Sequence, residues 1–459
     1  MVSKWPYKRV EEIAIKVAMG PFGSSIKVET FKESGIPIIS GQHLHESELT
    51  DSDFNFITEE HADRLKNSNV QRGDVIFTHA GNIGQVSFIP ENSKYERYII
   101  SQRQFYLRCD TTIVLPEFIT YFFESQEGQH KLLANANQVG VPSIARPSSY
   151  LKTIEVPVPP LDEQHLIVKK IRSIDRKIRL NRRTNQTLEA IAQAIFKSWF
   201  IDFDPVKAKI AALEQGEDPL RAAMRAISGK TDDELDQLPD EQYDELAATA
   251  ELFPDAMEES ELGMIPVGWT WQQIGEIATL PNDKIKSSEL DTNNYISTEN
   301  MLENRSGVTA AKSIPTATQV PGFRRGDVLI SNIRPYFKKI WMATFEGGRS
   351  PDILSFRAKN SQDNVFLYNL LYQDEFFDFM MRTSKGAKMP RGDKHSISAW
   401  KFPFPSIELR TRFSREVLPS HIYTDRLINQ NSLLSKTRNI LLPYLLAEKT
   451  TPTINMQAT

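Results

Sequence analysis

Gly229-Lys230-Thr231 has the composition of the end of a phosphate-binding loop, which cradles nucleotide phosphates with backbone amides. That loop requires another glycine five residues before Gly229, and Met224 stands there instead. No strand pattern precedes the segment, and acidic residues follow it at once. The sequence therefore argues against a nucleotide site at this position.

Two further patterns approach those of metal-dependent hydrolases. Asp352, Arg357 and Lys359 come close to the acid and acid-x-lysine arrangement of nucleases, but Arg357 replaces the second metal-binding acid. His43 and His45 could lie on one strand face, yet no third ligand follows at a useful spacing. The sequence predicts no catalytic residue, no metal site and no cofactor in this chain.

The bulk composition is that of a protein with several buried cores. Hydrophobic residues make up 40% of the 459 residues, which at about 100–200 residues per domain predicts two to four domains. No apolar run approaches the roughly 18 residues that span a bilayer, and the first residues lack the apolar stretch of a secretory signal. Cys109 is the single cysteine, so no internal disulfide is expected. We expect a soluble cytoplasmic protein without membrane association.

The net charge of −4 conceals an uneven distribution. Residues 210–262 contain 16 acidic and 3 basic residues, whereas the rest of the chain carries 52 basic against 43 acidic residues. A basic-leaning body interrupted by one acidic segment is compatible with nucleic-acid binding. Since charge disfavours burial, we expect 203–262 to be a partly helical, solvated insertion at the surface.

The second half of the chain repeats the first in the same order. The echoes are separated by 246 to 264 residues, as expected when loops vary in length and elements keep their order. The matched segments are 5–14 with 269–278, 39–40 with 296–297, 72–75 with 325–328, 157–161 with 403–407, and 175–181 with 425–431. The chain is therefore predicted to be a tandem duplication.

Each copy begins with the pattern of a mixed α+β globule. Runs of β-branched and aromatic residues separated by turn residues, such as 74–80 and 85–89, predict short strands. The segments 115–135 and 364–384 predict one helix in each copy. This combination favours an α+β fold over a pure β-barrel.

A long helical pattern follows each globule. In 161–200 the stripe positions, mostly apolar, alternate at spacings of four and three from Ile167 to Trp199, which is a heptad seam. Such a helix would be about 60 Å long, and its single stripe requires a partner helix. The second copy has a comparable stripe, where we expect Pro419 to kink or break the helix early and Pro443 near its end. That stripe consists of Phe413, Val417, Leu427, Asn431, Leu434, Leu441 and Leu445.

Asn181 and Asn185 occupy seam positions where apolar residues are expected. One interpretation is a solvent-exposed lapse in a helix that packs only partly. The other pairs Asn181 with Asn431 between two antiparallel helices, which fixes their register at some cost in stability. We favour the second interpretation.

Several stretches resemble the specificity subunit of type I restriction–modification enzymes, and together they cover most of the chain in the right order. The second copy departs from the family pattern at 406–410, where Pro-Leu-x-Glu-Gln would be expected. The stretches that carry the resemblance are 20–27, 73–89, 156–171, 196–206, 251–269, 326–339 and 388–393.

The resemblance implies an α+β chain in which two tandem mixed α/β target-recognition domains are joined by two long antiparallel coiled-coil-like helices. The boundaries it implies are 1–158 for the first recognition domain, 159–202 for the first spacer helix, 203–262 for the acidic connector, 263–405 for the second recognition domain, 406–448 for the second spacer helix and 449–459 for a tail.

The resemblance also implies a division of labour between this chain and its partners. Each recognition domain would read one half of a bipartite site in double-stranded DNA, and the paired helices would set the spacer between the halves. Two modification subunits would bind S-adenosylmethionine and methylate adenine. Restriction subunits would use ATP and Mg²⁺ to translocate and cleave DNA. The chain itself would be non-catalytic.

Base edges are read by Arg, Lys, Asn, Gln, Ser or Thr on elements that reach a groove. Lysines mostly hold phosphates, whereas Arg, Asn and Gln discriminate bases better. For each single residue, a solvated loop position is an equally good interpretation. The candidate DNA-binding residues are Ser24, Ser25, Lys27, His79, Asn82, Gln85, Gln102, Arg103 and Arg146 in the first copy, and Asn332, Arg334, Tyr336, Lys338, Lys388, Arg391 and Lys394 in the second.

Five residues of the first helix are candidates for contact with partner subunits, namely Leu161, Gln164, Phe196, Trp199 and Phe200. Because Phe196 and Phe200 lie off the seam, they could dock either on a partner or on their own globule. Two alternatives to the main function remain at this stage. One is an architectural protein that joins partners without reading DNA, and the other is a nuclease or methyltransferase with an unrecognised site.

Overall fold

The computed structural model describes residues 5–137, 140–386 and 388–446, apart from the side chain of Ser24. The predicted tail at 449–459 lies outside these ranges. The chain forms two compact units, with residues 1–181 and 429–459 in unit 1 and residues 182–428 in unit 2. None of the helices in the described ranges combines the length and the apolar content that a membrane span requires.

Unit 1 contains a two-layered globule and the first part of a long helix. The strands are β1 (Tyr7–Arg9), β2 (Ala14–Met19), β3 (Ile36–Ile39), β4 (Asn55–Ile57), β5 (Asn69–Gln71), β6 (Asp74–Thr78), β7 (Val86–Phe88), β8 (Arg97–Ile100), β9 (Gln104–Cys109), β10 (Ala136–Asn137), β11 (Ser143–Ile144) and β12 (Glu155–Pro157). The helices are α1 (Glu59–Arg64), α2 (Pro116–Glu124), α3 (Gln126–Leu133), α4 (Pro147–Thr153) and α5 (Leu161–Phe200).

Two four-stranded sheets, β2-β9-β6-β7 and β4-β3-β8-β5, form the globule of unit 1. The first sheet is antiparallel throughout, and the second contains the parallel pair β3–β8. Successive residues of a strand face opposite sides, and β6 uses both sides for burial. Val75 and Phe77 enter a core shared with α2, while Ile76 enters the core of the other face. The two-sided burial explains why β6 is apolar almost throughout.

Unit 2 repeats this plan after a helical connector. Its helices are α6 (Asp204–Gln215), α7 (Pro219–Ser228), α8 (Asp232–Asp236), α9 (Asp240–Glu251), α10 (Ile274–Ile277), α11 (Asn364–Leu371), α12 (Asp374–Arg382), α13 (Lys394–Ser398) and α14 (Ile407–Leu446). Its strands are β13 (Met257–Ser260), β14 (Gly263–Pro266), β15 (Thr270–Gln273), β16 (Ala278–Thr279), β17 (Lys284–Lys286), β18 (Tyr295–Ile296), β19 (Gln319–Phe323), β20 (Val328–Ser331), β21 (Ile340–Met342), β22 (Gly347–Arg349), β23 (Ile353–Ala358) and β24 (Lys401–Phe404).

The sheet orders confirm the predicted duplication and reveal one difference between the copies. The sheet β16-β23-β20-β21 matches β2-β9-β6-β7 strand for strand, and the pair β15–β24 matches β1–β12. In the other sheet, β18-β22-β19 matches β3-β8-β5. The fourth strand differs, because β4 lies beside β3 whereas β17 lies beside β19. The extra strand is thus added to opposite edges of the same three-stranded unit.

The repeated Arg-Gly-Asp-Val segment has a structural explanation. Asp74 accepts two hydrogen bonds from Arg108, each 2.7 Å long, and Asp327 accepts two of the same length from Arg357. Each aspartate also accepts a 2.9 Å bond from the backbone three residues earlier. The glycine before each aspartate has a φ of 82° or 89°, a region that favours glycine. Each segment therefore closes a tight turn and pins two neighbouring strands.

Each long helical segment predicted within a globule is divided in two. In 115–135 the division falls at Ser125, whose side chain accepts a hydrogen bond from the Gly128 backbone and caps α3. A Cβ at Gly128 would lie 2.0 Å from the Phe122 carbonyl oxygen, so the corner requires glycine. The segment 364–384 divides likewise between α11 and α12. The prediction of single helices was wrong because each segment turns a corner, which Ser125 caps in the first copy, whereas α12 has no side-chain cap.

The two copies enter their long helices through different residues in matching positions. The buried Gln164 accepts a 2.8 Å bond from the Leu115 backbone and donates one of the same length to the Pro159 carbonyl. In the second copy Arg410 donates to the Pro405 carbonyl at 2.6 Å and pairs with Asp363 at 2.8 Å. An arginine with a buried aspartate therefore replaces the family glutamine, and α14 begins at Ile407 despite the altered motif.

Helix α14 continues through both of its prolines, so neither Pro419 nor Pro443 breaks it, and the kink that was the other expectation stays a prediction. A proline inside a helix removes one hydrogen bond and costs about 3 kcal/mol. Val417 and His421, on either side of Pro419, are buried in unit 2. Their packing offsets the lost bond, because tertiary contacts rather than propensity supply most helix stability.

In unit 1 the parts of α5 and α14 pair antiparallel, as predicted. Ile167 and Ile171 share a core with Leu442 and Leu446, so positions that rise along α5 meet positions that fall along α14. The stripe on α14 differs from the prediction, since Leu441 is 38% exposed. The residues of the seam near the end of α14 are Arg438, Leu442 and Leu446, which are four residues apart. Arg438 pairs there with Asp175 at 2.9 Å.

Asn181 and Asn431 meet in the seam, which confirms the interpretation favoured from the sequence. The Asn181 side-chain amide donates to Asn431 Oδ1 at 2.9 Å and to Gln430 Oε1 at 2.8 Å. Asn431 donates in turn to the Ile178 carbonyl at 3.4 Å. Asn181 is 1% exposed, so these bonds replace those that water would supply.

The acidic connector is helical as predicted, but it is not merely a solvated insertion. Val206 and Phe253 are buried in the main core of unit 2. A smaller core forms around Met224 and Leu235 within the connector itself. The surplus acidic charge is partly paired, since Arg221 and Arg225 bond to Asp232 and neighbouring acids. The density of acidic residues therefore did not predict exposure of the whole connector, because the apolar residues between the acids are buried in these two cores.

His421 is a buried titratable group on α14. Its ring lies 5.2 Å from that of Tyr368, and its Nε2 is 3.4 Å from the Asn369 amide nitrogen. Burial disfavours the charged imidazolium and lowers the pKa of His421 to about 4.

We expect replacement of Asn181 and Asn431 to show strong coupling. Asn181→Leu alone leaves the Asn431 amide buried with fewer partners and should lower the free energy of unfolding by about 1–3 kcal/mol. Asn181→Leu/Asn431→Leu should recover most of that loss or exceed the wild type, since the seam then becomes apolar. Denaturant unfolding of the four proteins measures the coupling. Additive effects would contradict an amide pair in the seam.

We expect His421 to make the protein acid-sensitive. Because its folded pKa lies below the ordinary 6.5, the unfolded chain binds a proton first as the pH falls. The buried, neutral imidazole contributes fully to the free energy of unfolding above pH 6.5. This contribution is lost as the pH falls towards 4, by up to about 3 kcal/mol. His421→Gln should reduce the change in unfolding free energy between pH 7 and pH 4.5, whereas replacing the exposed His395 by Gln should not. An unchanged pH dependence in His421→Gln would refute this assignment.

Candidate nucleic-acid interface

Unit 1 contains a cleft of about 490 Å³ at the ends of the strands β6 and β9. The loop that follows β6 and the turn that precedes β9 supply most of its polar wall, and Ile26, Phe31 and Ile38 supply apolar surface. Four of the candidate DNA-binding residues line this cleft together, namely Asn82, Gln85, Gln102 and Arg103. The fold thus brings together residues that are up to 21 positions apart in the sequence.

The floor of the cleft is a chain of hydrogen bonds between buried side chains. Gln104 donates to the Thr78 hydroxyl at 3.3 Å, and Thr78 donates to Gln85 Oε1 at 3.1 Å. The Gln85 amide nitrogen donates to the Gly41 carbonyl at 3.0 Å, and Ser101 donates to Gln104 Oε1. Gln85 is therefore held by the protein and shapes the floor. Both ends of its amide thus have a partner within the protein, and its contact with DNA stays a prediction.

Three residues on the rim of the cleft have unoccupied donors. Asn82, Gln102 and Arg103 are exposed, and within the described ranges no hydrogen bond or ion pair engages their side chains. Gly81 has a φ of 85°, and a Cβ there would lie 3.5 Å from Arg103 Nη1. The missing side chain at Gly81 leaves the guanidinium close to the loop and open to solvent. Free amides and a free guanidinium are the groups that pair with base edges.

The remaining candidates of the first copy have different surroundings. The His79 ring bonds to the Gln102 carbonyl at 3.0 Å, and burial lowers the pKa of His79, so this side chain braces the loop in its neutral form. Arg146 is exposed and, in the described ranges, no bond engages its side chain. Its segment joins the cleft loop through a bridge between Ala80 and Ser143.

Ser25 and Lys27 are exposed on the segment that carries Ile26, one of the cleft-lining residues. The Ser25 hydroxyl is occupied by the Phe22 carbonyl at 2.7 Å. Lys27 directly follows the cleft-lining residue Ile26 in the sequence. The side chain of Ser24 lies outside the described part of the chain.

In unit 2 the corresponding loop after β20 is joined to the loop before α13. The Arg334 backbone donates to the Pro390 carbonyl at 2.8 Å, and Ile333 forms an antiparallel bridge with Arg391. Asn332 is buried and donates to the Gly392 carbonyl at 3.1 Å. Asn332 therefore fastens the two loops together, and its contact with DNA stays a prediction.

The two joined loops of unit 2 present several cations. Arg334 has a φ of 51°, a left-handed conformation that is strained for a residue with a Cβ. It occupies the position that Gly81 holds in unit 1, and in the described ranges its guanidinium has no partner. Tyr336 is exposed two residues after Arg334. Lys388 and Lys394 are exposed on the other loop, within three residues of Arg391. Strain at an unpaired arginine is a recurrent feature of functional positions.

Two other cations of these loops are already paired. Lys338 lies 2.7 Å from Asp374, and this ion pair and the Arg305–Asp374 pair lower the pKa of the Asp374 carboxyl. Arg391 lies 3.1 Å from Asp352, but it remains 56% exposed. Exposed ion pairs contribute only about 0–1 kcal/mol, so a phosphate could compete for Arg391 easily. Lys338 is better placed to hold its own loop.

Of the five residues predicted to contact partner subunits, four are buried within the chain. Phe196, Trp199 and Phe200 are at most 2% exposed and pack on Phe413 within the core of unit 2. Gln164 is fully buried in the bonds described above. Phe196 and Phe200 therefore take the second of the two alternatives, docking on their own globule, and contact of the five residues with a partner subunit stays a prediction. Leu161 is partly exposed.

The two surfaces differ in electrostatic character. The rim of the cleft in unit 1 carries two amides and one arginine, whereas the joined loops of unit 2 carry arginines and lysines. In the described ranges no group of His, Cys, Asp and Glu side chains is arranged to hold a metal ion. Both surfaces offer hydrogen-bond donors to an acceptor-rich or anionic ligand.

Comparisons with known proteins agree with this organisation. Residues 3–190 match the model of the type I restriction modification DNA specificity domain. The chain is 30% identical over 413 residues to the type I restriction enzyme HindI specificity subunit of Haemophilus influenzae, covering 82% of this chain and 86% of that protein. It is 27% identical to the EcoDI specificity subunit of Escherichia coli, over 39% of this chain and 41% of that protein.

The fold also matches a solved structure. The S subunit of a type I restriction–modification system from M. genitalium superposes with a TM-score of 0.51 at 15% identity, covering 98% of this chain and 97% of that one. The extent of the similarity to the HindI subunit, the duplicated α+β globules and the two long helices lead to one conclusion. This chain belongs to the family of type I restriction enzyme specificity subunits.

Proposed function

We propose that this chain is the DNA sequence-recognition subunit of a type I restriction–modification complex, in which each unit reads one half of a bipartite site. The observation that supports this most directly is the correspondence between the two surfaces. In each copy the loop after the same strand is bridged to a second loop, and side chains in or beside these loops have donors without a partner in the described ranges, such as Asn82 and Arg103 in the first copy and Arg334 and Lys388 in the second.

The two surfaces suggest different modes of reading. Amides such as those of Asn82 and Gln102 pair with adenine, and a guanidinium such as that of Arg103 or Arg334 pairs with guanine. Lys388 and Lys394 carry charge without a planar fork, so we assign them to phosphates. The first half-site is accordingly read mainly by neutral groups, and the second combines base reading with stronger phosphate binding.

The chemistry belongs, in this proposal, to companion subunits in the cytoplasm. Two modification subunits would bind S-adenosylmethionine and methylate adenine, and restriction subunits would use ATP and Mg²⁺. The relatives are named as specificity subunits, which supports a non-catalytic role for this chain. We retain the boundaries 1–158, 159–202, 203–262, 263–405 and 406–448 for the two recognition domains, the two spacer helices and the connector.

We propose further that α5 and α14 fix the spacer between the half-sites. Both helices contribute residues to both units, so neither unit is joined to the other by a flexible linker alone. A flexible linker would spread the second reader over many registers, whereas a paired helical rod holds one.

Arginine-to-alanine changes should separate the two half-sites. Arg334→Ala and Arg391→Ala should each weaken discrimination within the second half-site, by about 1–3 kcal/mol for an arginine that reads a base. Arg103→Ala is the reciprocal control and should affect only the first half-site. Selection from random DNA pools by the complex with modification subunits gives both half-sites.

Three results, two from this selection and one from an activity assay, would contradict the assignments. A uniform loss of binding to all sequences would show that these arginines hold only phosphates. A wild-type complex that enriches no sequence would favour an architectural protein. Turnover by the purified chain alone, with S-adenosylmethionine or Mg²⁺ and DNA, would refute the non-catalytic role.

Lengthening both long helices should lengthen the spacer. Insertion of four residues in each helix, in the paired region of α5 and α14, adds about one turn or 5.4 Å. At 3.4 Å per base pair the preferred spacer should grow by roughly one to two base pairs, with both half-sites unchanged. Sequencing of methylated sites in cells measures the spacer. An unchanged spacer would refute the role of the helices as a ruler.

A further inference from the structure

The globule of unit 1 is fastened to α5 by a network of ion pairs. Arg172 Nε lies 2.9 Å from Glu48 Oε1, and Arg179 Nη2 lies 2.9 Å from Glu48 Oε2. Longer contacts join Arg179 to Glu46 at 3.8 Å and Arg172 to Glu117 at 3.9 Å. One glutamate thus bridges two arginines that are seven residues, or two turns, apart on the same face of the helix.

Segment 46–49, which carries Glu46 and Glu48, is connected to the recognition cleft through hydrogen bonds. Ser47 accepts a 2.9 Å bond from the Phe88 backbone and donates to Glu124 at 2.8 Å. Segment 46–49 therefore runs along β7, and β7 begins one residue after Gln85, whose amide is bonded to Gly41 on the cleft floor. A continuous set of hydrogen bonds leads from the ion pairs on α5 to the cleft.

The junction of unit 2 with its helices is built differently. Gln193 of α5 donates to Asn369 Oδ1 at 2.8 Å, and Gln373 donates to Gln193 Oε1 at 2.7 Å. Among the described residues, the ion pair that joins this globule to α14 is Arg410–Asp363, and both partners are at most 8% exposed, whereas Arg412 of α14 pairs with Glu245 of the connector. Salt screens buried pairs much less than exposed ones, so the second junction should respond little to ionic strength.

The side chains of the ion-pair network in unit 1 are partly exposed to solvent. The side chains of Arg172, Arg179, Glu46, Glu48 and Glu117 are 17–27% exposed. Ions can reach such groups, and pairs of this kind weaken as the salt concentration rises. They are nevertheless sufficiently covered to hold a defined geometry at low salt.

We propose that Arg172 and Arg179 are positioning residues that set the orientation of the first recognition surface on α5, and that salt loosens this orientation in unit 1 and leaves unit 2 unaffected. The inference rests on the proposed DNA-reading function and deepens it. A looser junction leaves the rim donors of the cleft intact but lets them approach the groove at several angles. Discrimination within the first half-site then falls, and the spacer next to it becomes less strict.

The test uses the full chain assembled with modification subunits and DNA pools in which each half-site and the spacer vary. Arg172→Met/Arg179→Met removes both charges and keeps much of the aliphatic volume. At about 50 mM salt the ion pairs are least screened, and at about 300 mM they are strongly screened. We expect the double variant to lose roughly tenfold discrimination in the first half-site at low salt and to accept spacers one base pair longer or shorter. Its second half-site should match the wild type.

Arg176→Met/Arg183→Met is a matched control, because it removes two exposed arginines with the same spacing from the same helix. It should leave discrimination in the first half-site unchanged. The wild type at high salt should approach the behaviour of the double variant at low salt. Exchange of the charges, with Arg172→Glu/Arg179→Glu combined with Glu46→Lys/Glu48→Lys/Glu117→Lys, should restore discrimination if the pairs act through geometry.

Three results would overturn the proposal. Equal discrimination by wild type and double variant at low salt would show that the pairs do not set the orientation. An equal loss in the control variant would assign the effect to the charge of α5. Failure of the charge exchange to restore discrimination, in a complex whose second half-site is read normally, would exclude a role through geometry. A wild-type complex that enriches no sequence would instead refute the proposed function itself.

Discussion

A 40-residue helix with a single apolar stripe is unstable in water unless another surface covers the stripe, and this constraint organises the whole chain. Each unit meets it with parts of α5 and α14 packed against its own globule. In unit 1, Ile171 and Leu442 share one core with the main sheet, and in unit 2, Phe196 and Phe413 do so. Each core therefore requires segments that are far apart in the sequence, such as those around Phe196 and Phe413 in unit 2.

Polar groups placed within these apolar contacts give them specificity. An apolar seam tolerates several registers, whereas the Asn181–Asn431 pair and the Arg438–Asp175 pair are satisfied in one register only. The entry to each long helix is fixed in a similar manner, by Gln164 in one copy and by Arg410 with Asp363 in the other. Leaving one partner of a buried ion pair alone costs about 3–5 kcal/mol, so the Arg410–Asp363 pair tolerates little change.

The two copies within the chain show which parts of the fold are constrained. The aspartate–arginine pairs Asp74–Arg108 and Asp327–Arg357 have the same geometry, because each pins two strands of the main sheet. The loops after β6 and β20 differ instead, and glycine in one stands where Arg334 is found in the other. Substitutions on exposed loops usually change stability by less than about 0.5 kcal/mol. A shared framework with variable loops suits the proposed reading of two different half-sites by the two units.

Much of the architecture followed from the sequence alone. The period of the echoes predicted the duplication, the heptad spacing predicted α5, and the matching asparagines predicted their pairing, because all three are local or repeated patterns. The register near the end of α14, the burial of Phe196 and Phe200 and the continuation of the helix through Pro419 did not follow, since neighbours distant in the sequence decide them. The same division applies to the candidate interface. Residue type and loop position determined which side chains could donate hydrogen bonds. Only the tertiary structure decided that the amides of Gln85 and Asn332 donate to carbonyls of the protein, whereas the guanidinium groups of Arg103 and Arg334 have no partner in the described ranges, because a partner at hydrogen-bond distance is a property of the folded chain.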